Sequence, residues 1–196
     1  MTESIHNTLL FLRKFIASPK TIGAIAPSSQ ALAREIVRLA KVETARTVLE
    51  LGPGTGAFTT VIAQNLAADA RFVAIEADPH LAALLQNKMP AVCTVAGSAE
   101  HIHRIMNTFK LPPADCVVSG LPWASFESSL QDRILTAAWD ALRPGGLFTT
   151  FSYVHAQPLA QAKRFRKKLD QTFTTVEKSS IVWKNIPPAF IFCCQK

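Results

Sequence analysis

The sequence has little charge and no long apolar run, and both shortages limit what the protein can be. Only 18% of its 196 residues are charged, whereas 48% are hydrophobic. Disordered chains show the opposite balance, so this composition predicts a folded chain. No window reaches the run of about 18 apolar residues that a membrane-spanning helix needs, and the N-terminus lacks a signal-peptide cleavage pattern. The sequence therefore predicts a cytoplasmic protein, with one domain over residues 1–196.

The chain also lacks two common motifs of metal and nucleotide sites. Its cysteines, Cys93, Cys116 and the pair Cys193-Cys194, show no C-x-x-C spacing and lie in apolar, strand-like runs. We therefore expect buried structural thiols and no metal site. No Gly-Lys-Ser/Thr follows the glycine-rich turn described next, which argues against a phosphate-binding P-loop.

A glycine-rich turn between a strand and a helix is the most informative feature that is present. The β-prone residues 47–49 lead into Glu50, and glycines follow at positions 52, 54 and 56 before an apolar, helix-compatible run. Glycines let a ligand lie against bare peptide groups, and open α/β sheets bind ligands at the carboxyl ends of their strands. The next strand-like run ends on Glu76, about 20 residues on, where an acidic residue meets a ribose diol. The open alternative to a ligand site is that the glycines only form a structural turn and that Glu76 is an ordinary acidic surface residue.

The spacing is G-x-G-x-G rather than the dinucleotide pattern G-x-G-x-x-G. The run Glu50-Leu-Gly-Pro-Gly-Thr-Gly56 resembles the first motif of class I S-adenosylmethionine-dependent methyltransferases. That resemblance implies S-adenosylmethionine as the cofactor, with Glu50 close to its methionine moiety and Glu76 on its ribose. The full set of residues expected at the cofactor is Glu50, Gly52, Gly54, Thr55, Gly56, Glu76, Ala77, Ser98, Ala99 and Ser119.

Strand-like and helix-like segments alternate from residue 46 onward. Such alternation predicts an α/β fold with a doubly wound, mainly parallel sheet, and the resemblance implies seven strands. Only residues 185–188 separate the last two strands, which predicts a closing hairpin and an antiparallel final strand. Strands are expected near 46–51, 71–76, 91–96, 115–119, 146–153, 173–182 and 189–195, and helices near 56–68, 79–88, 99–109, 126–142 and 157–170.

The segment after the third strand, Gly97-Ser-Ala-Glu100, is expected at the adenine of the cofactor. Many methyltransferases carry Asp where this chain has Ser98. The hydroxyl of Ser98 and the backbone of Ala99 can still contact the adenine. A strand-to-helix turn with Ser98 as its cap is the open alternative.

The fourth strand runs into Gly120-Leu-Pro-Trp123. The resemblance implies that this turn holds the acceptor nitrogen, because amine methyltransferases place it after the fourth strand. Carbonyl oxygens fixed by the proline can accept N–H bonds from an amine, and the Trp123 face can meet a cationic product. A proline turn with a core tryptophan is the open alternative. We predict catalytic roles for Gly120, Leu121, Trp123 and Tyr153.

Two families resemble the chain beyond the first motif. Ribosomal RNA adenine dimethylases carry an Asn where this chain has Gly120, and that Asn grips a flipped adenine. The fuller resemblance, over most of the chain, is to bacterial phospholipid N-methyltransferases, which convert phosphatidylethanolamine toward phosphatidylcholine. It rests on the predicted N-terminal helix, Ile22–Ser29, Glu50–Gly56, Glu76-Ala-Asp78, Gly120–Trp123, Arg143-Pro-Gly-Gly146 and Tyr153. Ornithine-lipid methylating relatives are similar. Tyr153, the only tyrosine, is expected either on the headgroup or as a buried strand-end aromatic.

The charge distribution predicts an anionic membrane surface as a partner and no nucleic acid. The net charge is +7, and residues 163–168 carry five positive charges. Residues 4–16 form an amphipathic helical pattern inside a predicted N-terminal membrane or lid segment over residues 1–40, and such helices lie in the lipid interface. The open alternatives are a helix packed on the core and a solvated basic face. Rival functions are an RNA adenine methyltransferase and a catalytically silent lipid- or RNA-binding module.

Overall fold

The computed structural model describes residues 28–196, so the predicted helix over residues 4–16 and most of the 22–29 segment lie outside the described part. The helices are α1 (Gln30–Leu39), α2 (Ala57–Asn65), α3 (Pro79–Lys88), α4 (Ile102–Thr108), α5 (Ser128–Ala141) and α6 (Ala160–Thr172). The strands are β1 (Thr47–Leu51), β2 (Arg71–Glu76), β3 (Cys93–Ala96), β4 (Ala114–Ser119), β5 (Leu142–Tyr153), β6 (Thr175–Lys178) and β7 (Ala189–Gln195).

The seven strands form one sheet in the order β3-β2-β1-β4-β5-β7-β6. Strands β1 to β5 pair in parallel, whereas β7 pairs antiparallel with both β5 and β6. The prediction of a doubly wound, mainly parallel seven-stranded sheet with an antiparallel final strand is confirmed. The strand order reverses between β1 and β4, and ligands bind at such switch points.

Two hydrophobic cores cover the two faces of the sheet. One contains Leu49, Ile102 and Phe148 and packs against α4, α5 and α6. The other contains Val48 and Ile62 and packs against α1, α2 and α3. Neighbouring residues of β1 thus enter different cores, because successive side chains of a strand point to opposite faces. Burial on both faces explains why apolar residues stand at neighbouring as well as alternate positions of β1, namely Val48, Leu49 and Leu51.

Strand boundaries differ from the predictions mainly at β5 and β6. Strand β5 begins at Leu142, four residues before the predicted start, and contains the Pro-Gly-Gly segment. The predicted strand over 173–182 is reduced to Thr175–Lys178. Before the start of strand β6, helix α6 continues to Thr172. Beyond the end of strand β6, the Ser179 hydroxyl, rather than a backbone carbonyl, accepts the Ile191 N–H at 2.9 Å.

Ser29 begins the helical part of the described chain. Its side chain accepts the Leu32 N–H at 3.2 Å, as an N-cap does. Its own N–H donates to Asn185 Oδ1 at 2.9 Å, which ties α1 to the loop between β6 and β7. Within residues 28–196, no helix is both long enough and apolar enough to cross a bilayer.

Candidate active site

A cavity of about 760 Å³ opens at the carboxyl ends of β1, β2, β4 and β5. Its volume lies in the range of small-molecule sites. The glycine turn after β1, the Gly120–Trp123 turn after β4 and Tyr153 at the end of β5 all line it. The predicted cofactor and acceptor segments therefore meet in one space.

Glu76 anchors the glycine turn from the end of β2. Its carboxylate accepts N–H bonds from Gly54 and from Asp78, both at 3.0 Å. Burial raises the pKa of Glu76, while the hydrogen bonds from Asp78 and Gly54 oppose that rise. Two carboxylate oxygens offer about four acceptor positions, so acceptor capacity remains for a ligand hydroxyl at the cavity.

Glu50 is a second buried carboxyl, one strand away. It is fully buried on β1, and its oxygens make no close, well-aligned hydrogen bond among residues 28–196. Burial raises the pKa of Glu50 to about 8; the nearby Thr59 opposes this rise, and the charge of Glu76 adds to it. A buried carboxyl without a close donor favours its neutral form. Glu50 does not itself line the cavity, so its predicted place near the methionine moiety stays a prediction.

The glycines of the two turns differ in what surrounds them. Gly54 has φ +55°, and a Cβ built there meets nothing within 4 Å, so its bare face looks into open space. A Cβ at Gly120 would stand 2.7 Å from the Gly52 carbonyl oxygen. At Gly52 and Gly56 a Cβ would instead strike the side chains of Leu121 and Leu85. Gly54 therefore keeps the cavity clear, whereas Gly120 lets two turns approach each other.

The Gly120–Trp123 turn has one carbonyl without a partner. The Leu121 carbonyl accepts the Trp123 N–H at 3.0 Å, and the Pro122 carbonyl accepts the Ser125 N–H at 2.9 Å. The Trp123 carbonyl accepts from Gln131 at 2.6 Å. Among residues 28–196, no hydrogen bond reaches the Gly120 carbonyl.

Trp123 is chiefly a core residue. Its side chain is only 3% exposed, and its indole stacks on Phe165 with ring centroids 4.8 Å apart. The indole N–H donates to the Ser119 hydroxyl at 3.0 Å, which also accounts for the buried Ser119 side chain. One ring face is thus covered by Phe165. The packing matches the open alternative of a core tryptophan, and the predicted contact with a cationic product stays a prediction.

Tyr153 lies in the cavity wall with an unused hydroxyl. The hydroxyl has no hydrogen-bond partner in the described part of the chain, and burial raises the pKa of Tyr153. Its ring stacks on His155 at 5.6 Å. Tyr153 is thus a largely buried strand-end aromatic whose hydroxyl oxygen is buried and unpaired, which matches one of the two expectations, and its contact with a headgroup stays a prediction.

Several predicted cofactor residues do not line the cavity. Ser98 caps the turn before α4 by accepting the Glu100 N–H at 3.3 Å, and the Ala99 side chain packs in the core. Ala77, Gly56 and Ser119 also lie outside the lining. Thr55 lines the cavity, and its carbonyl accepts from Lys88 at 3.1 Å. The position of Ser98 matches the open alternative of a helix cap, and its adenine contact stays a prediction.

Sequence reasoning missed the far wall of the cavity. Lys178, Phe190 and Phe192 line it from β6 and β7, and Gln157 and Leu159 line it from the segment before α6. The alternation Ala-Phe-Ile-Phe in β7 indicates that the two phenylalanines share a face. No sequence pattern says that this face meets the cavity, because strand order decides it.

A known protein family matches the first half of this architecture. The model described as ribosomal RNA adenine dimethylase matches residues 27–119. The matched segment contains the glycine turn and Glu76 and ends immediately before Gly120.

One relative matches nearly the whole chain. The ornithine lipid N-methyltransferase of Singulisphaera acidiphila is 34% identical over 189 residues, which cover 95% of this chain and 94% of that protein. The ribosomal RNA small subunit methyltransferase A of Chlorobium phaeobacteroides is 40% identical over only 77 residues, covering 39% of this chain and 28% of that protein.

Solved structures agree on the fold. The O-methyltransferase TomG from Streptomyces achromogenes, in complex with SAM, superposes with a TM-score of 0.70 at 19% identity and covers 99% of this chain and 90% of its own. The O-methyltransferase from Bacillus cereus, in complex with SAH, gives 0.68 at 17% identity, with 99% and 91% covered.

The chain therefore belongs to the class I S-adenosylmethionine-dependent methyltransferases, in the family that includes the Singulisphaera acidiphila ornithine lipid N-methyltransferase. Its cofactor is S-adenosylmethionine. The residues fit that group, because Gly54 leaves its face of the cavity bare and Glu76 keeps free acceptor positions. When bound, the cofactor supplies an electrophilic methyl group on a sulfonium.

Proposed function

We propose that the protein methylates the primary amine of a lipid headgroup. The sequence resemblance implies phosphatidylethanolamine, converted toward phosphatidylcholine, and the relative that spans the chain is named for ornithine lipid. Both lipids carry a primary amine beside an anionic group, so one site can serve either of them.

The observation that carries the proposal is the contact between Gly120 and Gly52. A Cβ at position 120 would stand 2.7 Å from a backbone oxygen, which is closer than real Cβ contacts. The asparagine of the RNA dimethylases therefore has no room here unless the backbone shifts. Without that side chain, the acceptor is held by backbone, which suits a small amine better than an adenine.

The Gly120 carbonyl is the group best placed to orient that amine. Gly120 lines the cavity, and its carbonyl has no partner among the described residues. A carbonyl that accepts an N–H bond from the neutral amine aims the nitrogen lone pair away from that bond. In the transfer the nitrogen forms a bond to the methyl carbon, the carbon–sulfur bond breaks, and the extra proton on nitrogen leaves to solvent. Tyr153 lines the same cavity, and its buried, unpaired hydroxyl would hold a headgroup oxygen if the side chain turns toward the ligand.

Contact with a membrane forms part of the proposal. Trp183 and Ile186 are 69% and 79% exposed in the loop between β6 and β7, with Lys184 between them. Asn185 ties that loop to Ser29, and the Pro188 carbonyl accepts the Val154 N–H at 2.9 Å. The loop thus lies beside the cavity. Exposed tryptophan and lysine suit the lipid interface, and peripheral attachment to the inner face of the cytoplasmic membrane follows from the proposal.

Basic side chains on α6 support the same surface. Within the described chain, Arg166 pairs with Asp170 and Lys168 with Asp132, whereas Lys163, Arg164 and Lys167 form no ion pair. Unpaired basic groups near a bilayer favour anionic lipid, at about 1 kcal/mol each. The predicted amphipathic segment over residues 4–16 stays a prediction.

Labelled S-adenosylmethionine tests the proposal directly. The purified protein is incubated with vesicles containing phosphatidylethanolamine, with vesicles containing ornithine lipid, and with total RNA. We expect label in the lipid amine, and Glu76→Ala serves as the cofactor-deficient control. Label in RNA adenine with none in either lipid would instead identify the protein as an RNA adenine methyltransferase. The match of the ribosomal RNA adenine dimethylase model to residues 27–119 supports that alternative. Cofactor binding without transfer to any of these acceptors would favour a silent binding module.

A further inference from the structure

We infer that Lys178 and Lys163 bind the anionic group of the acceptor headgroup at the far wall of the active-site cavity. The inference rests on the proposed function and names a specificity site within it. Both lysines line the same cavity as Gly54, Glu76 and Gly120. The site would take a phosphodiester or a carboxylate that lies a few bonds from a primary amine.

Lys178 is held in position by aromatic and amide contacts. It lies on the edge strand β6, in register with Phe192 on β7. Its ammonium nitrogen stands 4.0 Å from the centroid of the Phe190 ring and donates to Gln157 Oε1 at 2.7 Å. Phe190, Phe192 and Gln157 are themselves cavity residues, so the ammonium is fixed at the cavity wall.

The positive charge of this wall is not neutralised inside the protein. Arg166, also in the wall, pairs with Asp170 at 2.8 Å and donates to the Val176 carbonyl. By contrast, Lys163 and Lys178 form no ion pair with any residue from 28 to 196. Glu177 is in register with Cys193, and because side chains alternate along a strand it points to the other face. The wall thus presents to a ligand two ammonium groups that no carboxylate of the described chain neutralises.

The chemistry of the headgroup follows from the two ends of the row of strands β4-β5-β7-β6, from which cavity residues come. The carbonyl of Gly120, which follows β4, suits an N–H donor, and Lys178, on β6, suits an anion. Phe190 already lies under the Lys178 ammonium and Phe192 under the Arg166 guanidinium, as aromatic faces attract cations, and the rest of their ring surface suits apolar parts of the ligand. A zwitterionic headgroup satisfies this arrangement, whereas a simple amine uses only one end. Recognition of the anion therefore separates lipid headgroups from other primary amines.

Single variants at the two lysines test the inference in mixed micelles of an uncharged detergent, where membrane charge plays no part. The variants are Lys178→Ala, Lys163→Ala and the charge-preserving Lys178→Arg. Arg104→Ala is the matched control, because Arg104 is exposed on α4 and does not line the cavity. Initial rates of methyl transfer are measured on phosphatidylethanolamine, on ornithine lipid and on a long-chain alkylamine that has no anion.

We expect Lys178→Ala to raise KM for a zwitterionic lipid about tenfold, with kcat and cofactor affinity little changed. A tenfold change corresponds to about 1.4 kcal/mol, which one charge-assisted contact supplies. Lys163→Ala should also raise KM for the zwitterionic lipid, and Lys178→Arg should keep KM close to the wild-type value. None of the three variants should change KM for the alkylamine. A loss confined to phosphatidylethanolamine identifies a phosphate site, and one confined to ornithine lipid identifies a carboxylate site.

The inference is overturned if Lys178→Ala matches Arg104→Ala on both lipids, or if the alkylamine suffers an equal loss. Failure of the proposed function looks different, because then the wild-type protein methylates no lipid at all. In that case, calorimetric titration of the SAH-bound protein with dihexanoyl phosphatidylethanolamine still tests whether the lysines bind the anion. Binding that Lys178→Ala weakens supports the anion site, and absence of binding rejects it.

Discussion

At the scale of single residues, the two buried carboxyls have different surroundings and therefore different expected effects. Glu76 accepts two backbone N–H groups at the cavity, whereas Glu50 makes no close, well-aligned hydrogen bond among the described residues. A group with partners at a cavity serves ligand binding. A group without a close donor acts mainly through its desolvation.

Replacing Glu76 should weaken S-adenosylmethionine binding. Hydrogen bonds to a charged acceptor contribute about 1.5–3 kcal/mol each, and about 1.4 kcal/mol is a factor of ten. Glu76→Ala should therefore raise the dissociation constant at least tenfold in calorimetry. Glu76→Gln, which keeps one acceptor oxygen, should lose less. Unchanged affinity in Glu76→Ala would remove Glu76 from the cofactor site.

Glu50 should make the cofactor-free protein less stable as pH rises. Its pKa is about 8 in the folded state, against an ordinary value of 4.5. Between these values the unfolded chain has lost the proton that the folded chain keeps. The free energy of unfolding therefore falls as pH rises through this window, by on the order of 1 kcal/mol per pH unit. Above about pH 8 it levels off.

Urea denaturation from pH 5 to pH 8.5 measures this effect. Glu50→Gln mimics the neutral acid, so it should flatten the profile and exceed wild type in stability at pH 8, while matching it near pH 5. Glu76 leaves a residual slope of the same sign, because its pKa is also raised. Glu43→Gln, at an exposed site, controls for the loss of one charge. A profile as steep as that of wild type in Glu50→Gln would refute the assignment.

At the scale of elements, the turns after β1 and β4 depend on glycine for opposite reasons. A Cβ at Gly54 meets only open space, and one at Gly120 meets the Gly52 carbonyl. Gly54→Ala should thus reduce cofactor affinity at a modest cost in stability, since positive φ costs a residue about 1–2 kcal/mol. Gly120→Ala should lower the urea midpoint more, because two backbone segments must separate.

Calorimetry with S-adenosylmethionine and urea denaturation on both variants separate the two roles. Gly145, with φ +74°, lies in β5 and does not line the cavity, so Gly145→Ala controls for strain alone. If Gly54→Ala loses stability like Gly120→Ala and keeps its affinity, the open face of Gly54 has no part in binding.

At the scale of the whole molecule, the exposed apolar loop between β6 and β7 is hydrogen-bonded to Ser29 and Val154, which neighbour cavity residues, and the proposed membrane contact involves this loop. The double variant Trp183→Ser with Ile186→Ser should lower sedimentation with anionic vesicles several-fold, since both side chains are exposed and do not build the core. Leu84→Ser is the control, because Leu84 is exposed on α3 and lies outside the cavity lining. High salt should weaken the electrostatic part of binding. Equal vesicle binding by wild type and the double variant would exclude the loop as a contact.

The sequence alone was sufficient for the fold and for the position of the glycine turn and of Glu76 at the carboxyl ends of neighbouring strands. Periodic burial and glycine punctuation are local properties, so the order of strands and helices, the glycine turn and Glu76 could be read from residues close together in the chain. The antiparallel last strand followed from the short connection before it. Boundaries at β5 and β6 were less predictable, because a strand ends where its neighbour stops offering hydrogen bonds.

Tertiary structure decided what the residues of the second half contact. The sequence left open whether Trp123 meets a ligand or packs in the core, and Phe165, more than forty positions later, covers one of its faces. Ser98 caps the turn before α4, and Lys178 lies in the cavity wall on β6, which pairs with β7. The need for glycine at position 120 arises from a carbonyl on another turn. These contacts join distant parts of the chain, and local sequence patterns carry no information about which distant segments meet.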